Sequence, residues 1–390
     1  MAPIIHEESG LTEMQQQISE IVQHGVIDPN FTFSNAEFEL LSTLRYDPGF
    51  TTANSSTIRN ETSGDFTRFG LQLDAVVDPQ LSDLDLQGSF AGDSPIDNGR
   101  SLLESFQGLQ RGIPPMSPPP EPEDEPTCDK SEDELLEVFY NRFLLLGEHI
   151  QRLRLGLRFF GWGFDISLPL LLEKLILGIP CPMDAATNLH TRMKSLFYAN
   201  TKYKMRVLVS HAGVLRIEAH EIPQALDYFS TPTQYFISTV LNGFLASPEE
   251  IWDVFIDSQT TTASPFTTFK TTRRGHYNDA RARMEEMRAV IEKPAAKAEI
   301  LIYNNTFELM EGSITNVAVL RSGNSESSFY YQTPYLSTGC LCGVMRYYLL
   351  KKKLINEGSI DVRQLKVGDH LLLFNGVMGC VRGVVRNSLE

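Results

Sequence analysis

The sequence predicts a two-domain α/β (α+β) fold. Strand-like and helix-like periodicities alternate through both halves of the chain, the pattern of mixed layers rather than of a bundle or a sandwich. The chain has 390 residues, 42% of them hydrophobic, enough for two cores of ordinary size. It carries no internal repeat, which argues against solenoids and propellers.

The elements follow in order. The stretch AEFELLSTLRYDPGF, residues 36–50, reads as a strand ending in a turn at Pro48-Gly49. From residue 51 to about 132 the composition shifts to Ser, Thr, Asn, Asp, Gly and Pro. Residues 112–135 hold seven prolines and eight acidic residues against one lysine. Such a segment cannot bury enough apolar surface to offset its chain entropy. A mobile acidic insertion is expected there, or else an ordered loop lying on the surface.

Order resumes at Leu135. Apolar residues at Leu135, Leu136, Phe139, Phe143, Leu146, Ile150, Leu153 and Leu157 step by three and four, which predicts one helix of about six turns. A second helix is expected over residues 166–177, closed by Gly178 and Pro180. Alternation at Met205, Val207 and Val209, a His-Ala-Gly turn, and alternation at Leu215, Ile217 and Ala219 predict a hairpin. The second half offers a charged helix over residues 277–290, strands at 300–303, 316–320, 328–332 and 370–374, and a helix beginning at Val344. The expected domains are residues 1–222, interrupted by the insertion at 51–132, and residues 223–390.

Charge and composition narrow the partners. Lys and Arg number 34 against 49 Asp and Glu, a net charge of −15. That field repels phosphate backbones and anionic bilayers, so neither nucleic acid nor membrane is expected as a partner. No apolar run reaches the roughly 18–20 residues of a membrane span. The N-terminus lacks a secretory pattern, and the five cysteines are odd in number and sparse. A cytoplasmic, reducing location is expected.

Four segments carry candidate chemistry. Lys270, in SPFTTFKTTRRGHY, follows Phe266 and Phe269 and precedes Arg273 and Arg274. Desolvation and neighbouring cations both depress a lysine, which would make it a nucleophile and base; the competing reading is a solvent-facing lysine at the start of a basic helix. Glu311 precedes Gly312 in MEGSITNVAV, where a buried carboxylate would hold a protonated ring nitrogen, unless the segment is an ordinary turn. Gly343-Val344-Met345 leads into a helix whose free N–H groups suit a phosphate. Asn375-Gly376 ends a strand and either caps the same phosphate or simply turns the chain. Cys340-x-Cys342 has no second pair nearby, so no metal is expected.

Taken in this order and spacing, the segments resemble the pyridoxal-phosphate enzymes of the class IV aminotransferase family, known as fold type IV. That family has an H-x-x-R-L helix, a cofactor-bonding lysine, E-G-x-x-x-N, a G-[VI]-x-R helix start and an Asn-containing loop at a strand end. This chain has His149-Ile150-Gln151-Arg152-Leu153, then Lys270, then Glu311-Gly312-Ser313-Ile314-Thr315-Asn316, then Gly343-Val344-Met345-Arg346, then Asn375. The phrases FELLSTLRYDPGF, YKMRVLVS, LNGFL, FKTT, TGCLCGVMR and LLFNGVMGC are similar to the fungal lyase branch of the family. Met345 stands where branched-chain aminotransferases usually carry Thr.

The resemblance implies a smaller N-terminal α/β domain and a larger barrel-like C-terminal domain, with pyridoxal 5'-phosphate in the cleft between them. It implies that Lys270 is catalytic and that Arg152, Glu311, Asn316, Gly343, Val344, Met345, Asn375 and Gly376 bind the cofactor. Arg154 and Arg158 share the helix of Arg152 and are alternative anchors. The implied reaction is 4-amino-4-deoxychorismate to 4-aminobenzoate and pyruvate, a step towards folate, with a homodimer as the family's usual assembly. Arg45, Arg206, Arg273 and Arg274 remain candidates for the substrate's carboxylates. An aminotransferase of branched-chain or D-amino acids is the second reading. A binding protein working through its acidic insertion is the third.

Overall fold

Strand β1 (Leu40–Tyr46) leaves the sheet at Asp47, whose carboxylate accepts the Gly49 N–H at 2.9 Å and so turns the chain. The computed structural model describes residues 18–27, 31–51, 128–182, 188–223, 232–245, 250–322 and 329–389. The insertion expected over residues 51–132 falls almost wholly outside these. Its far end is described: Ser131 and Glu134 form a reciprocal capping box that starts α1 (Glu132–Arg142).

The single six-turn helix is a misreading of the apolar run. Two helices, α1 and α2 (Leu146–Phe159), share it. Between them Phe143 pairs with Tyr46 in an isolated bridge, Leu144 N donates to Arg45 O at 2.9 Å, and Leu145 adopts a left-handed φ of 54°. Phe143 and Leu144 serve as a rung on β1 instead of a helical turn. A continuous stripe cannot reveal such a break when no Gly or Pro marks it.

Two further helices, α3 (Leu168–Gly178) and α4 (Leu189–Phe197), precede β2 (Lys202–Val209) and β3 (Leu215–Ile222). The last two strands form the expected hairpin, and with β1 they make an antiparallel sheet in the order β1-β2-β3.

The second half runs α5 (Pro232–Val240), β4 (Ile251–Ile256), α6 (Pro265–Thr268), α7 (Gly275–Arg288), β5 (Ala298–Tyr303), β6 (Leu309–Gly312), β7 (Asn316–Ser322) and β8 (Phe329–Pro334). It ends with α8 (Val344–Lys351), β9 (Asn356–Gly358), β10 (His370–Asn375) and β11 (Gly379–Val385). Its eight strands are ordered β6-β5-β4-β11-β10-β7-β8-β9. Strands β4, β6, β9 and β11 were not foreseen. β4 and β6 are buried along nearly their whole length and show no alternation to read.

This sheet must curl. β6 and β7 are five steps apart in the strand order. In a flat sheet that is ~24 Å at about 4.8 Å per step. Only residues 313–315 join them, and such a link reaches at most ~14 Å. Gly312 N donates to Thr315 O at 2.8 Å, so the link is a tight turn. The sheet therefore wraps into a barrel-like form, which brings Glu311 on β6 beside Asn316 on β7.

Aromatic pairs join the segments before β1 and along α2 to α6. Phe38 lies 5.0 Å from Phe266, and Phe159 stacks on Phe269 at 4.4 Å. These rings clamp the segment that leads to Lys270.

Candidate active site

Lys270 lies just beyond α6, whose first turn is capped by Ser264. Its backbone is stitched to β1: Leu41 N donates to Lys270 O at 2.9 Å, and Thr272 N donates to Glu39 O at 2.9 Å. The lysine thus sits where the small sheet meets the barrel-like one. It precedes α7 and is half-buried, not a solvent-facing residue at a helix start. Burial first, then the Arg152 and Arg274 cations, hold its amine well below the usual lysine range, opposed by Glu311. Among the described residues no hydrogen bond or ion pair engages that amine.

The expectation that Arg273 and Arg274 act together on Lys270 needs correction. Arg274 does reach it; its Nη2 donates to Ser313 O at 2.7 Å and its guanidinium lies 4.2 Å from the Tyr277 ring. Arg273 is instead stacked on Phe266 at 4.7 Å and faces Glu37. The second cation comes from a distant element, Arg152 on α2.

Glu311 is buried in β6, not in a turn before a strand. Burial pushes its carboxyl up to about 8, against the lowering effects of the Tyr277 hydroxyl, Arg274 and the Leu341 backbone. Tyr277 Oη donates to Glu311 Oε1 at 2.5 Å. Sequence reasoning did not select Tyr277, which looked like one apolar position of an amphipathic helix.

On the other side of Lys270, Arg152 Nη2 donates to Ser42 Oγ at 3.1 Å. Ser42 Oγ also lies 2.7 Å from His149 Nδ1. Burial, then Arg152 and Lys270, push His149 well below its ordinary range, so the ring is neutral. The Ser42 hydroxyl thus links Arg152 to His149, and the His149 tautomer sets which of Oγ and Nδ1 donates. Of the alternative anchors, Arg154 is occupied by Asp165 and Ile166 O, both at 3.1 Å, and Arg158 is exposed.

Gly343 caps α8, and its carbonyl accepts the Tyr347 N–H at 3.0 Å. The Val344 and Met345 N–H groups precede Tyr347, the first N–H donor of the helical ladder, and so have no intrahelical partner. A Cβ on Gly343 would lie 1.9 Å from Asn316 Oδ1, so only glycine lets Asn316 approach. Asn316 Nδ2 donates to Leu341 O at 3.0 Å, bracing the loop before α8. Asn375 turns the β10–β11 hairpin: its Oδ1 accepts from Val377 N at 2.9 Å and Met378 N at 3.0 Å, and its Nδ2 donates to Ile314 O at 3.1 Å. Gly376 packs on His149, and its carbonyl accepts the Arg45 N–H at 3.2 Å. Arg346 is buried and ties α8 to Pro334 O and Glu357.

Arg45, offered as a substrate ligand, is locked in a buried ion pair with Asp47 beside Tyr235. Arg206 is half-buried on β2, pairs with Glu218 at 2.5 Å, and its charge reaches Lys270. The Cys342 thiol donates to Thr268 O at 3.1 Å, and burial raises Cys340 to about 12 and Cys342 to about 11.

The model of the amino-transferase class IV family matches residues 134–384. The chain belongs to the class IV aminotransferase family. This class IV chain is 40% identical over 368 residues to the aminodeoxychorismate lyase of Saccharomyces cerevisiae, covering 91% of this chain and 94% of that protein. Solved structures are similar at lower identity. One, a candidate 4-amino-4-deoxychorismate lyase from Legionella pneumophila, has 13% identity and a TM-score of 0.41, covering 63% of this chain and 79% of its own. Another, a hypothetical aminotransferase from Mycobacterium tuberculosis in its PLP-bound form, has 11% identity and a TM-score of 0.41, covering 62% and 75%.

Class IV enzymes depend on pyridoxal phosphate, and the residues fit that group. Among the described residues, a lysine amine without a partner, a buried carboxyl held by the Tyr277 hydroxyl and the Leu341 backbone, and two helix-start N–H groups without an intrahelical partner match its carbonyl, ring nitrogen and phosphate.

Proposed function

We propose that this chain is a pyridoxal-phosphate-dependent carbon–oxygen lyase that converts 4-amino-4-deoxychorismate to 4-aminobenzoate and pyruvate. The observation that carries the reading is the convergence of Lys270, Arg152 and Glu311 from three separate elements. The 40% identity to the yeast lyase supports the choice of substrate. When bound, the cofactor supplies an electron sink for the carbon that bears the substrate's amine.

Arg152 and the Val344 and Met345 N–H groups would hold the phosphate, with Ser42 and His149 orienting Arg152. Gly343 and Asn316 shape the start of α8, and Asn375 and Gly376, which pack on Ile314, His149 and Val344, would face the cofactor from the hairpin side. Glu311 would hold a proton at the ring nitrogen, while Tyr277 fixes the carboxylate's orientation.

Lys270 would hold the cofactor's carbonyl group, and its amine, when free, would be the base. Its Nζ, kept neutral by burial and by Arg152 and Arg274, takes the proton from the substrate carbon bearing nitrogen. The freed electron pair completes the aromatic ring as the carbon–oxygen bond to enolpyruvate breaks. The Lys270 ammonium then returns a proton to the departing enolpyruvate, which becomes pyruvate. Arg206 and Arg274 would face the substrate's carboxylates, since both place charge near Lys270.

The same reading carries a domain boundary at residues 222/223, a homodimer and a cytoplasmic role in folate synthesis. The five free cysteines support a reducing compartment. Among the described residues no helix is long and apolar enough to cross a membrane.

The test is incubation of the purified chain with chorismate, glutamine and a purified aminodeoxychorismate synthase, assaying 4-aminobenzoate. Glutamate formed from 2-oxoglutarate and a branched-chain or D-amino acid, with no 4-aminobenzoate, would replace the lyase reading by the aminotransferase one.

A further inference from the structure

We propose that Glu299 is a positioning residue: its buried carboxylate sets the turn between β6 and β7 and thereby aims Glu311, Asn316 and Arg274 at the reacting centre. The inference rests on the function proposed above.

Glu299 lies on β5 and is fully buried. Its Oε1 accepts Ile300 N at 2.9 Å, Ser313 N at 3.0 Å and Ser313 Oγ at 2.5 Å. Its Oε2 accepts Ile314 N at 3.1 Å and Thr315 Oγ1 at 2.9 Å. Four of these five donors come from the turn itself. Among the described residues no Lys, Arg or His forms an ion pair with it. Glu299 is the one ionisable residue among the buried neighbours Ile300, Leu301 and Ile302, and its oxygens are turned to the β6–β7 turn. A carboxylate with five donors fixes the turn's backbone, because each donor is held by a charge-assisted bond. Gly312 belongs to the same device. A Cβ there would meet Thr315 Oγ1 at 2.4 Å and Glu299 Cδ at 2.8 Å, so the turn closes over the carboxylate only around glycine.

The outer side of the turn is where the consequences lie. Ser313 O accepts Arg274 Nη2 at 2.7 Å, and Arg274 is one of the cations that depress Lys270. Ser313 Oγ accepts Arg281 Nη1 at 3.1 Å, and Ile314 O accepts Asn375 Nδ2 at 3.1 Å. Glu311 and Asn316 leave the two ends of the turn towards Tyr277 and Leu341 O. A single carboxylate behind the turn therefore holds Arg274 near Lys270 and sets Glu311 and Asn316 at the two ends of the turn.

The test uses the cofactor-loaded enzyme with Glu299→Gln and Glu299→Asp. Gln keeps the volume but turns an NH2 group against N–H donors of the turn. The expected result for Gln is a kcat about tenfold lower with KM within about threefold. The pH midpoint of the bound cofactor's visible absorbance moves by about half a unit or more, and the cofactor dissociation constant rises about fivefold. Asp, which keeps the charge, restores the midpoint towards wild type. A Gln variant whose melting temperature falls while midpoint, dissociation constant and kcat stay at wild-type values overturns the proposal, since Glu299 would then serve the fold alone. If Gln does not fold, Thr315→Val, which removes one donor, decides by the same readings. The absorbance and dissociation readings do not depend on the substrate, so a failure of the lyase assay in wild type is distinguishable from a failure here.

Discussion

The Tyr277 hydroxyl donates a 2.5 Å hydrogen bond to the Glu311 carboxylate, and both groups are buried. The two effects on Glu311 oppose each other. Burial favours the neutral acid and raises it to about 8, while the tyrosine favours the carboxylate needed at a protonated ring nitrogen.

Glu311→Gln keeps the shape and removes the charge. Turnover should fall by roughly two to four orders of magnitude, about 3–5 kcal/mol of barrier, with the cofactor still bound. Full occupancy at wild-type turnover would remove Glu311 from the mechanism. The cofactor-free protein offers a pH test. A carboxyl raised from 4.5 to about 8 on folding keeps extra protons in the folded state across that window. Its contribution to stability is present below 4.5 and is lost as pH rises through about 8. The stability difference between wild type and Glu311→Gln should therefore decline over that window, and a flat difference would contradict the raised value.

Tyr277→Phe removes the donor and leaves a buried carboxyl less favourable as an anion. Turnover should fall about ten- to a hundredfold, in keeping with the ~1.5–3 kcal/mol of a hydrogen bond to a charged group. The loss should ease at higher pH, where Glu311 ionises without help. A pH-independent deficit would point to another role for the ring.

Lys270→Ala should abolish turnover. Borohydride reduction of the wild-type enzyme followed by peptide mapping should place the cofactor on Lys270. Label on any other lysine would sink the assignment.

Ser42→Ala leaves His149 and Arg152 without their shared partner. Cofactor affinity should drop about tenfold, or ~1.4 kcal/mol. Equilibrium dialysis reads this directly; an unchanged dissociation constant would show that Arg152 is held without Ser42.

Asp47→Asn breaks the buried pair with Arg45 and weakens the 2.8 Å bond from Tyr235 Oη, which fastens α5 to the end of β1. The buried guanidinium then lacks a counter-charge, and a cost of about 3 kcal/mol is expected in urea unfolding. A change under ~1 kcal/mol would mean that water reaches Arg45.

Lys270, Glu311 and the α8 start were legible as types of chemistry: an apolar flank before a lysine, a carboxylate before glycine, and a glycine loop before a helix. Ser42, Tyr277 and Glu299 were not. Ser42 sits in a strand that reads as half-apolar alternation, Tyr277 occupies an apolar helical position, and Glu299 is one acid inside an otherwise apolar strand. Their roles depend on what faces them across the fold, and sequence spacing carries no signal for that.

By itself the sequence determined the alternation of strands and helices, the hairpin of β2 and β3, the capped start of α8 and the order of the family's motifs. Those features are local: they follow from periodicity, turn chemistry and neighbours within a few residues. The tertiary structure decided which arginines bring charge to Lys270, splitting Arg152, Arg206 and Arg274 from Arg45 and Arg273, and it broke the long apolar run into α1 and α2. It also decided that the sheet curls. A three-residue turn between strands five steps apart leaves no other arrangement, and that closure sets Glu311 opposite Lys270 across more than forty residues of chain.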